Sequence, residues 1–178
     1  QIQALIAAAN SGKDIYLVTS GRGVIPMLKG LRQWQLEMPT STAIKGVILF
    51  SPKFFVETPD PGVKEKLLDI VEKTNLPLFI LQPKKSPWFW KLDKTIPALE
   101  KSGSDVFVQT IKGVRDRYYF RADANTLGNE TGKKLPSALI RASRYLKSLP
   151  DKKRHAVKRE KENITVTTGK KERTLSVY

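Results

Sequence analysis

The 178-residue sequence contains no cysteine and a single histidine, His155. The first absence removes structural disulfides, thiolate metal sites and cysteine nucleophiles together, and it tilts the expectation toward an extracytoplasmic setting, periplasmic or secreted. The second excludes any histidine-rich metal site and leaves residues 1–150 without the usual general base of neutral pH. No apolar run approaches the ~20 residues of a membrane-spanning helix, and the amino terminus lacks the basic-then-apolar pattern of a secretion signal. Acidic residues are few, 17 against 32 basic ones, for a formal net charge of +15. The basic excess is spread along the chain: residues 1–150 hold 23 basic and 13 acidic side chains, and residues 151–178 hold 9 and 4. Such a field favours anionic partners, whether nucleic acid, lipid headgroups or an acidic protein, and charge alone selects none of them.

What is present is a regular alternation. Residues 1–11 carry the end of a helical pattern closed by Gly12, and Gln1 opens inside that pattern as in a piece of a longer chain that could carry further domains. Nearly continuous apolar runs at 14–20, 45–50, 76–82 and 105–111 predict strands of the kind buried in parallel sheets. Between them lie helical spacings over 22–35 and 92–101, and a third helix is predicted to start at Asp60-Pro61 with Val63, Leu67, Ile70 and Val71 on its apolar face. A last helix is predicted over 136–149. Strands separated by one helix each imply right-handed crossovers, hence an α/β fold with a mostly parallel sheet and helices on both faces in three layers. Ligands are then expected at the carboxyl ends of the strands, in the loops after Ser20, Phe50, Gln82 and Ile111. Residues 1–150 read as one domain. Residues 151–178 read as a basic linker or arm, with two short alternating segments that suggest a hairpin.

The stretch DIYLVTSGRGVIPMLKGL joins a strand to a helix through Thr19-Ser20-Gly21-Arg22-Gly23. With KGVILFSP, LPLFILQPKKSP and VFVQTIKGV following in order, residues 1–150 resemble the carboxyl-terminal half of an α/β hydrolase. That resemblance implies a nucleophile at the elbow, an acid after a later strand and a histidine after the last one. The elbow needs small residues two before and two after the nucleophile, which Thr19 and Gly23 supply if Gly21 holds the nucleophile position. Ser86 then falls at the acid position, between lysines and proline, and Arg115 at the histidine position. These three departures from the family pattern predict a non-catalytic pseudo-hydrolase domain that acts in binding, scaffolding or assembly and prefers an anionic ligand or a protein partner. The alternative is a serine hydrolase or esterase with a non-standard site using Ser20, its proton passing to a lysine such as Lys84 or Lys85. A second alternative is polyanion or nucleic-acid binding through the basic tail.

The candidate binding residues are Arg22 at the elbow, Lys84 and Lys85 with the aromatic run Trp88 to Trp90, and Arg115, Arg117 and Tyr118 in the arginine-tyrosine loop. TSGRG lacks the lysine and spacing of a phosphate-binding loop, so no nucleotide or other cofactor is predicted, and no metal site.

Overall fold

The computed structural model describes residues 2–56, 65–116, 118, 126–151, 163–168 and 171–176. Helix α1 (Ile2–Ala9) precedes strand β1 (Ile15–Ser20), and a single 3₁₀ turn over Gly21–Gly23 leads into α2 (Val24–Glu37). Then come β2 (Ile44–Phe50), β3 (Leu78–Pro83), α3 (Leu92–Lys101) and β4 (Val106–Ile111). The chain continues through α4 (Thr126–Lys133), α5 (Leu135–Ser148) and the strands β5 (Asn163–Thr168) and β6 (Lys171–Ser176).

Strands β1 to β4 pair in parallel and in chain order, so each crossover steps one place in the same direction. Right-handed crossovers taken in one direction put their connections on one face. Helices α2 and α3 accordingly share a core with Val47, Leu49, Leu78 and Ile80 of the sheet. After β4 the chain returns over the opposite face, where Ala142 and Leu146 of α5 pack on Ile48, Phe50 and Leu81. The three layers expected from the sequence are therefore present, and the alternation of β2 and β3 between the two cores explains why both strands read as continuous apolar runs.

Two expectations are corrected, and one helix is additional. Strand β1 is not buried on both faces: Val18 is 46% exposed, because β1 pairs with β2 alone and forms the sheet edge among the described residues. The helix predicted from Asp60 does not extend over its described part, residues 65–71. There Leu67 forms an antiparallel bridge with Phe55, backed by bonds from Leu68 N–H to the Phe54 carbonyl (2.8 Å) and from Val56 N–H to the Lys66 carbonyl (3.0 Å). The β-favouring run Phe54-Phe55-Val56 captures the backbone of 66–68, while Ile70 and Val71 still enter the core from a short 3₁₀ turn. The start of that helix, Asp60-Pro61, lies outside the described residues. Helix α4 was not foreseen, because TLGNETGK offers little apolar periodicity. The two tail segments form an antiparallel hairpin, with Asn163 opposite Ser176.

At the amino end of the sheet, the Lys45 ammonium donates to Asp151 at 2.7 Å and lies 3.8 Å from Asp14, which also meets Lys147 at 3.2 Å. The bond to Asp151 pushes the Lys45 pKa up, against the opposing effect of partial burial. These contacts fasten the end of α5 beside the start of β1.

Candidate functional site

The carboxyl ends of the four strands are tied into one rim by backbone bonds. Lys53 N–H donates to the Gly21 carbonyl at 3.1 Å, which joins the loop after β2 to the elbow after β1. Ser51 N–H donates to Leu81 of β3 at 3.1 Å, and Lys84 N–H to Ile111 of β4 at 2.8 Å. Lys85 N–H reaches the Val114 carbonyl at 3.3 Å. The loops that carry Ser20, Arg22, Lys84, Lys85, Ser86 and Arg115 therefore gather at one end of the sheet, although their sequence positions span almost 100 residues.

The elbow is built by its small residues. Ser20 ends β1 with extended backbone, φ −137° and ψ 151°, and Gly21 turns the chain with φ +54°. That left-handed conformation favours glycine over any residue with a Cβ. A Cβ on Gly23 would lie 2.4 Å from Thr19 Oγ1, so the first turn of α2 sits directly against the last turn-facing side chain of β1. Ser20 is half-buried and makes no capping bond to the helix, although serine before a helix commonly caps it. Its hydroxyl is not committed to the helix start.

Lys84 and Lys85 are exposed, and they stand two strands, about 10 Å, from β1. Ser86 is 1% exposed, and its Oγ accepts a bond from Trp88 N–H at 3.1 Å, which shapes the turn after β3. The aromatic run divides. Trp88 packs toward the core and stacks on Phe55 at 6.3 Å, with the Lys53 ammonium 5.3 Å from its ring centre. Trp90 is 74% exposed and meets only the edge of Phe89 within its own segment. Arg22 and Arg115 are exposed on the rim, Tyr118 is buried, and Arg117 lies outside the described residues, as does His155.

Two residues that sequence reasoning passed over also stand on this rim. Ser51 and Gln82 are buried, and neither the Ser51 hydroxyl nor the Gln82 amide has a hydrogen-bond partner among the described residues. The available signal was a glutamine inside the otherwise apolar run LFILQ and a serine directly after KGVILF. A separate cleft lined by Trp34, Ile44, Lys45, Pro77 and Asp151 opens at the opposite end, where β2 and β3 begin. Among the described residues, no group of histidine, aspartate and glutamate side chains is placed to hold a metal ion, and no helix is long and apolar enough to cross a membrane.

With a parallel sheet in the order β1-β2-β3-β4, helices on both faces and a glycine-bent elbow between β1 and α2, the architecture is settled. The fold is three-layer α/β. Solved structures of an esterase and of a hydrolase resemble the chain in part. Esterase 2 of Thermogutta terrifontis phosphoramylated by tabun is 14% identical, with 58% of this chain and 43% of that chain covered and a TM-score of 0.37. The same esterase with propionate bound is 13% identical over 62% and 47%, with a TM-score of 0.38. A Klebsiella pneumoniae protein assigned as a dienelactone hydrolase is 14% identical over 64% and 46%, with a TM-score of 0.42. The chain thus spans less than half the length of these structures. No family model matches the sequence, and no curated protein matches it.

These comparisons correct the functional expectation. The resembling structures are esterases and a hydrolase, and nothing among the described residues positively shows that catalytic residues have been lost. Glycine at the bend and Ser86 in a tight turn are features of backbone geometry. The reading as a non-catalytic pseudo-hydrolase domain for binding, scaffolding or assembly is therefore set aside.

Proposed function

We propose that the chain forms the nucleophile-bearing part of a hydrolase that cleaves esters, with Ser20 as the nucleophile of a non-standard site. The observation that carries this reading is the elbow: Ser20 stands half-buried at the carboxyl end of a parallel strand, directly before the left-handed Gly21, with a hydroxyl not used to cap α2. The carboxyl ends of parallel strands are where α/β folds collect ligands. In the reaction, Ser20 Oγ bonds to the acyl carbon, the alcohol leaves, and water then releases the acid from the acyl-serine. The negative charge that develops on the carbonyl oxygen faces the amino end of α2, a 14-residue helix whose dipole favours it. The serine proton requires an acceptor, and the candidates are the neutral amines of Lys84 and Lys85 on the loop after β3, two strands from β1.

The test is turnover of a panel of p-nitrophenyl esters by the purified chain and by its Ser20→Ala and Lys84→Ala/Lys85→Ala variants. The expected result is hydrolysis that falls by about 1,000-fold or more in Ser20→Ala and sharply in the lysine pair variant. Turnover unchanged by Ser20→Ala would overturn the assignment.

A further inference from the structure

The chemistry at Ser20 uses neither of the two unpartnered side chains on the same rim. Gln82 is 0% exposed, and both its amide nitrogen and its amide oxygen lack partners. Ser51 is 4% exposed with an unpartnered Oγ, and its φ of +43° makes it the one non-glycine with positive φ among the described residues. A residue with a Cβ adopts that conformation only when its surroundings impose it.

The two side chains belong to one place. Phe50 pairs with Leu81 in the ladder and Ser51 N–H bonds the Leu81 carbonyl, so Ser51, directly after β2, lies beside Gln82, the next residue of β3. Leu78 and Ile80 face the core shared with α2 and α3, while Phe79 and Leu81 face α5. By the same alternation Gln82 belongs to the row facing α2, the helix that starts at the elbow. The Lys53 bond to Gly21 fixes the loop of Ser51 against that elbow.

A buried amide without partners is unfavourable, and leucine of similar size would suit a row already made of Leu78 and Ile80. Retaining the amide there points to a partner that arrives with a ligand. We propose that Ser51 and Gln82 form a recognition subsite for a primary carboxamide on the acyl portion of the ester substrate, an assignment that rests on the hydrolase reading above. Both side chains are uncharged and offer a buried ion no counter-charge of their own. The glutamine amide offers an N–H donor and a carbonyl acceptor side by side in one plane, which a primary carboxamide matches with its own pair, and the Ser51 hydroxyl adds a third bond.

Two measurements on the full chain test the subsite, and neither requires turnover. Without ligand, Gln82→Leu and the more adaptable Gln82→Met are expected to raise the melting temperature by about 3 °C or more, because they remove unmade hydrogen bonds. Titration with succinamide, followed by protein-detected NMR, is expected to give saturable shifts that weaken at least tenfold in both variants. If both variants melt lower than the parent, the amide is satisfied within the fold and the subsite does not exist. Absence of saturable succinamide binding overturns it equally. With ester substrates, p-nitrophenyl succinamate should exceed the isosteric 4-methylpentanoate by about tenfold or more in kcat/KM, and Gln82→Leu should erase the preference. If no ester is turned over, the hydrolase reading fails by itself, and succinamide binding still decides the subsite.

Discussion

Substitution of Gly23 by alanine tests how the elbow is held. A Cβ built there lies 2.4 Å from Thr19 Oγ1, about 1 Å inside ordinary contact, while Thr19 Cβ at 3.8 Å is no obstacle. Threonine in a strand has a stiff χ1, so moving the hydroxyl off its rotamer costs about 0.5–1.5 kcal/mol, and shifting the turn instead costs about 1–3 kcal/mol. Against this, Gly23 has helical backbone, φ −60° and ψ −15°, where alanine should stabilise by about 0.4–1 kcal/mol through the unfolded chain. The clash wins, and Gly23→Ala is expected to destabilise by about 1–2 kcal/mol. In a Thr19→Ala background the clash is gone and only the gain remains, so the same substitution should stabilise. Urea denaturation of the four proteins of this cycle reads the coupling directly, about 2 kcal/mol with a change of sign. Equal effects of Gly23→Ala in both backgrounds would refute the account of why the elbow requires a small residue here.

Other outcomes follow from the same packing logic. Gly46→Ala would set a Cβ 2.9 Å from both Leu146 Cδ2 and the Pro77 carbonyl; with backbone on one side, a loss of about 1–3 kcal/mol in chemical denaturation is expected, and a neutral result would mean that α5 does not press on β2 as described. Burial of the Tyr16 hydroxyl pushes its pKa above the ordinary value of 10.0, with the Asp14 carboxylate acting in the same direction. The native state therefore holds that proton more tightly than the unfolded chain does, and the resulting stability is complete below pH 10 and lost as pH rises through the native pKa. Tyr16→Phe should flatten this alkaline decline, and because the hydroxyl is buried without a partner it should cost little at pH 7; stability curves between neutral and strongly alkaline pH check both points.

The fold was largely legible because parallel strands that serve two cores must be apolar at every position. Ile48 and Leu49 are both fully buried yet face opposite layers, and that requirement writes itself into the sequence as KGVILF. The segment after β2 was misread because Leu67, Ile70 and Val71 satisfy a helical spacing equally well, and only the partner run Phe54-Phe55-Val56 decides that residues 66–68 pair as extended chain. The elbow was legible because its chemistry is local: a left-handed bend asks for glycine, and close approach to Thr19 asks for another. Ser51 and Gln82 were not legible as a pair. Thirty-one positions separate them, and only the register of β2 with β3 makes them neighbours. The loss of catalysis first expected from Gly21, Ser86 and Arg115 was an inference from residue type at three positions, and nothing among the described residues positively shows that loss.

The central claim, that Ser20 forms an acyl-enzyme in ester hydrolysis, is tested most directly by trapping that bond. The purified chain is treated with a fluorophosphonate that phosphonylates activated serines, and the modified residue is located by peptide mass spectrometry. A single stoichiometric adduct on Ser20, absent from Ser20→Ala, is the predicted result; no adduct, or an adduct that persists elsewhere in Ser20→Ala, would contradict it.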